Sequence, residues 1–135
     1  MNLNRQEKEI LKSLAHTYAE IAALPEQDTR RKMWVNLNSL RMDRPMVLID
    51  QIPWQEMDVD GSLLCQVEDP YWRRVENEMR QTIYKWNHMR VDMVVNPYIC
   101  LPRPIINTGW GLESQVEHLA TEGMNDVVKN LLLLI

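Results

Sequence analysis

The sequence predicts a mixed α/β fold, and three features predict it. Apolar residues recur at helical spacing up to Met42, short apolar runs bounded by proline or glycine follow near 45–50 and 62–68, and a long amphipathic segment begins at Pro70. Helices, extended runs and a helix in that order divide the chain into an amino-terminal helical extension over 1–42, an α/β region over 43–128 and an apolar tail over 129–135.

The first helix opens at Asn4, which with Glu7 has the spacing of a capping box. Behind it Ile10, Leu11, Leu14, Tyr18, Ile21 and Ala22 recur at helical intervals until Pro25 ends the segment. A second helix runs through "EQDTRRKMWVNLNSLRM", acids ahead of bases, with Met33, Trp34, Leu37 and Leu40 along one side. Then comes "DRPMVLIDQIPW", where Pro45 opens and Asp50 closes a short apolar run. Valine and isoleucine suit a pleat and proline is tolerated at a strand's first position, so the expectation is one buried strand over 45–50. "MDVDG" at 57–61 supplies a turn, and "SLLCQVE" a second extended run. The twelve-residue oxygen pattern of a calcium loop is not present at that turn.

Asp69 as cap and Pro70 in the first turn start the third helix, with Trp72, Val75, Met79, Ile83 and Trp86 in one stripe. Such a stripe reads first as core and only second as a cofactor box. After it, Pro97, Pro102 and Pro104 deny ladder donors, so part of 93–106 is read as edge strand or loop. "Asn107-Thr108-Gly109-Trp110-Gly111" makes a turn without phosphate-loop spacing.

Composition narrows the functional classes. With 135 residues, 45% hydrophobic and 25% charged, the chain reads as one globular domain. A formal charge of −4 supplies no attraction for nucleic acid or an anionic membrane. There is no apolar run near the roughly 18 residues of a membrane span, and the polar start is no secretory signal, so a cytoplasmic protein is expected. Cys65 and Cys100 then read as reduced thiols. His16, His88 and His118 are scattered, and no Cys-x-x-Cys or His-x-His pair advertises a metal site in this chain.

Candidate ligand-binding residues are Asp50, Trp54 and Glu56, because they follow the carboxyl end of the expected strand, where ligands sit in parallel sheets. The competing reading makes them turn-capping acids and a core indole. A catalytic use of Asp50 and Glu56 as an acid/base pair has only their proximity in sequence behind it. No catalytic residue is assigned. Candidate interface residues are Trp72, Trp86 and the tail leucines Leu131, Leu132, Leu133 and Leu134, which must find burial in this chain or in a partner copy.

Three stretches carry a resemblance. "RRKMWVNLNSLRMDRPMVLIDQIPWQEM", "DPYWRRVENEMRQTIYKWNHMRVDMVVNPYI" and "NTGWGLE" with "LATEGMNDVV" resemble the amino-terminal part of uroporphyrinogen-decarboxylase-like proteins, relatives of the corrinoid methyltransferases, over roughly residues 5–128. Trp34, Asn38, Leu40 and the Arg44-Pro45-Met46-Val47 string, then Ile52-Pro53-Trp54 with Glu56-Met57, are its most specific part. The resemblance implies the amino-terminal helices, first strands and helix of an incomplete (β/α) barrel, since a whole barrel needs about 250 residues. It also implies, for full-length relatives only, zinc held by His and Cys, a corrinoid protein partner and methyl transfer. Those ligands lie in the later part of the family's chain, so no cofactor is assigned to this one. The "KNLLLLI" ending departs from the relatives' polar, histidine-containing continuation, and a truncated product without activity of its own is the expectation. Self-association would cover its exposed surface. The alternative is a free-standing dimerising module.

Overall fold

The computed structural model describes residues 3–101 and, beyond them, the backbone of two short segments, 116–119 and 127–130. Among the described residues there are four helices: α1 (Arg5–Ala22), α2 (Pro25–Asn38), the single turn α3 (Trp54–Met57) and α4 (Pro70–Met89). Val116–Leu119 (β1) and Val127–Asn130 (β2) pair antiparallel, Val116 opposite Asn130.

Local signals hold where they rest on caps. Asn4 accepts the Glu7 amide and Glu7 accepts the Asn4 amide, both at 2.8 Å, closing the capping box. Asp69 accepts the Tyr71 and Trp72 amides, and Pro70 occupies the first turn of α4. α2 ends differently from a glycine-capped helix. Leu40 sits at φ 58°, with its amide donating to Leu37 and the Arg41 amide donating to Asn36, which is a Schellman closure built on leucine.

α1 lies along α4, and two apolar clusters form between them and the segments laid over them. One gathers Ile21, Ala22, Trp86, Met93 and Val95. The other gathers Leu11, Val67, Val75 and Met79, with Trp72 half-buried against it and Tyr18 touching both. The α4 stripe is therefore mainly core.

The α/β expectation is corrected. Residues 3–101 are 57% helical and contain no strand, so neither the first strands nor a partial barrel is present among them. The buried strand expected at 45–50 is irregular and outward-facing, with Val47 49%, Leu48 54% and Ile49 37% exposed. The physical reason lies in the backbone groups that a ladder would use. The Val47 amide donates to the Asp92 carboxylate and its carbonyl accepts the Asp92 amide. In the second extended run, the Gln66 and Val67 amides donate to Glu76 and the Glu68 amide to Glu7. In the third, the Val95 amide donates to Gln27, while Arg30 and Arg31 donate to the carbonyls of Met93 and Val95. Buried or partly buried backbone groups need partners, and here charged and amide side chains on the helices, with Asp92 just after α4, take much of the place of neighbouring strands.

Candidate functional site

α4 carries a second, polar line beside its apolar stripe. Arg73, Asn77 and Gln81 are spaced at i, i+4 and i+8, and Tyr84 and His88 continue the line. The segment 54–65 lies across it. Tyr84 donates its hydroxyl to the Met57 carbonyl at 3.2 Å, the Trp54 ring meets Tyr84 edge-on at 6.2 Å between centroids, and the His88 ring lies tilted 4.3 Å from Tyr84. Asp58 accepts the Leu63 amide and Asp60 accepts the Ser62 amide, each at 3.0 Å, closing the turn around Gly61 at φ 76°. The hydrogen bonds from Ser62 hold the Asp60 carboxyl below its ordinary range.

Between the segment and the helix is a cleft of about 100 Å³, lined by Trp54, Gln55, Asp58, Leu63, Leu64, Cys65, Arg73, Asn77 and Gln81. Its back wall is held by Glu76, fully buried, which accepts the Gln66 and Val67 amides and the Arg80 guanidinium at 2.8–2.9 Å, while Arg80 also donates to the Ser62 carbonyl. The Asn77 carboxamide oxygen accepts the Cys65 thiol at 3.8 Å and the Gln81 amide group at 3.4 Å. Burial, and next the neighbouring Glu76 charge, push the Cys65 thiol up, which keeps it in the protonated, weakly nucleophilic form at neutral pH.

The sequence candidates divide over this site. Trp54 lines the cleft, whereas Asp50 and Glu56 are exposed, do not line it and make no side-chain hydrogen bond among the described residues. Of the interface candidates, Trp86 is 6% exposed, with the guanidinium groups of Arg30 at 4.9 Å and Arg90 at 5.4 Å from its ring centre. Leu131, Leu132, Leu133 and Leu134 lie outside the described residues. Sequence reading missed Cys65, Arg73, Asn77 and Gln81 as site residues. The i, i+4, i+8 spacing of Arg73, Asn77 and Gln81 was the available signal, obscured by the stronger apolar stripe on the same helix; Cys65, in the extended run before it, carried none.

A second feature is an apolar face. α2 and the segment after it leave Val35 61%, Leu40 92% and Met42 56% exposed, and Val47, Leu48 and Ile49 are exposed as well. Trp34, Val35, Leu48 and Val94 line a broad, open depression there. The segment is held down by Arg44, which grips Asp92 through both guanidinium ends. The Arg44 bond, then the Val47 amide, draw the Asp92 carboxyl down to about 2, and the same pairing raises Arg44.

Among the described residues no cluster of three His, Cys, Asp or Glu side chains has the arrangement to hold a metal ion, and no helix is long and apolar enough to cross a membrane. Comparison of the chain with known protein families, with curated proteins and with solved structures finds no match.

Proposed function

We propose that this chain is the amino-terminal, helical portion of a cytoplasmic protein related to the uroporphyrinogen-decarboxylase-like and corrinoid-methyltransferase proteins, and that it has no catalytic activity on its own. One observation carries the reading. The most specific string of the resemblance, Trp34 to Met57, contributes little to the core of the described unit, and its apolar residues Val35, Leu40, Met42, Val47, Leu48 and Ile49 are exposed, with Val35 and Leu48 meeting in one open depression. An open apolar depression flanked by further exposed apolar residues is read as a contact surface for something else. In this reading its partner is the later part of the larger protein, which would also supply the zinc ligands and meet the corrinoid protein. Alone, the chain covers the face with a second copy.

The test is zinc and cobamide binding by the purified chain, by metal analysis after dialysis and by the cobamide absorption spectrum. The reading expects neither to be retained stoichiometrically. Retention of either at one equivalent per chain overturns it, because the ligands would then be present within these residues.

A further inference from the structure

We propose that the cleft between α4 and the 54–65 segment is a binding site for a small zwitterionic amino acid of the size of glycine or alanine. This goes beyond the reading above and needs nothing outside the described residues. Size sets the first limit. A cleft of about 100 Å³ has room for a molecule of about half a dozen heavy atoms to sit wholly inside it.

Charge sets the second limit. The ionic side chains of the lining are one cation, Arg73, and one anion, Asp58, so the site favours a ligand that is neutral overall but charged at both ends. Hydrogen-bonding capacity agrees. Arg73 uses one guanidinium nitrogen on the Val67 carbonyl at a long 3.4 Å, and its other nitrogens have no partner among the described residues. Because the Asn77 oxygen is already occupied by Cys65 and Gln81, the Asn77 amino group remains as a second donor and the Gln81 carbonyl as an acceptor. Asp58 has spent one oxygen on the Leu63 amide and keeps the other. A guanidinium with a carboxamide donor suits a carboxylate; a carboxylate oxygen with a carboxamide acceptor suits an ammonium group. Trp54 supplies an apolar wall for the carbon between them.

The experiment titrates glycine into the full chain and follows the Asn77 and Gln81 side-chain amide resonances, with acetate and methylammonium as half-ligands. Saturable shifts with an affinity on the order of millimolar are expected for glycine, with each half-ligand at least tenfold weaker. Asn77→Leu, and separately Gln81→Leu, should each weaken glycine at least tenfold while the backbone spectrum stays dispersed; if one variant unfolds, the other carries the comparison. No saturable shift with glycine overturns the proposal. So does acetate binding as tightly as glycine, which would reduce the site to attraction of any anion by Arg73, and so does unchanged glycine affinity in a folded variant.

Discussion

Replacing Glu76 with alanine should be among the most damaging single changes in the described unit. Its carboxylate is fully buried and accepts three donors, the Gln66 amide at 2.9 Å, the Val67 amide at 2.8 Å and Arg80 Nε at 2.8 Å. Hydrogen bonds to a charged group each contribute about 1.5–3 kcal/mol net. Part of that is recovered by water, because Gln66 is exposed and Arg80 is 12% exposed, but Val67 is fully buried and its amide would be left without a partner. Breaking a buried charge pair on one side costs about 3–5 kcal/mol, and this figure fits the three donors after that recovery. Against a total stability of about 5–15 kcal/mol the melting temperature should fall by at least about 10 °C. Glu76→Gln keeps one acceptor oxygen and should lose less. Thermal unfolding by circular dichroism measures both, and hydrogen exchange at Gln66 and Val67 should accelerate in the alanine variant. A Glu76→Ala protein melting within about 2 °C of the parent would refute the claim that this carboxylate takes the place of a neighbouring strand.

Three further outcomes follow from named contacts. Asp92 titrates at about 2 when folded and near its ordinary 3.8 when unfolded, so the folded state holds fewer protons in that interval. Stability from this group is present above pH of about 4 and is lost as pH falls toward about 2; Arg44→Gln should shrink that loss in urea melts taken across the interval. In the monomeric Val35→Glu, Leu48→Glu background, Leu40→Gly should add about 0.5–1 kcal/mol in urea unfolding, because leucine at φ 58° is strained, 92% exposed in the single chain and caps a helix end that glycine fits. A thiol reagent under native conditions should label the exposed Cys100 well before Cys65, whose thiol is partly buried and pushed up; mass spectrometry of the tryptic peptides reads the order.

The helices were legible because their signals are local. The Asn4 and Glu7 box, Pro25, and Asp69 with Pro70 each act within a turn of the chain, and each stands where the sequence placed it. The extended runs were misread because composition describes what a segment could pair with, not what reaches it first. Val47-Leu48-Ile49 has strand chemistry, yet the nearest partner for its backbone is Asp92, which follows α4. Gln66 and Val67 likewise meet Glu76, a residue outside the apolar stripe that the spacing marks on its helix. Burial of a glutamate between an arginine and two amides is a tertiary event with no signature in periodicity. The same holds for the cleft: Trp54 was picked out for its position after a strand that is absent, and it lines the site through its edge contact with Tyr84 instead.

The account rests most heavily on the outward apolar face of α2 and 42–49 being a contact surface, and the solution mass of the chain tests this directly. Light scattering after gel filtration should give a dimer or larger species for the 16.0 kDa chain, and the double variant Val35→Glu with Leu48→Glu should shift it to the monomer mass with its helical circular dichroism unchanged. A parent protein that runs as a monomer at concentrations well above micromolar, or a variant that associates as strongly as the parent, would contradict the central claim.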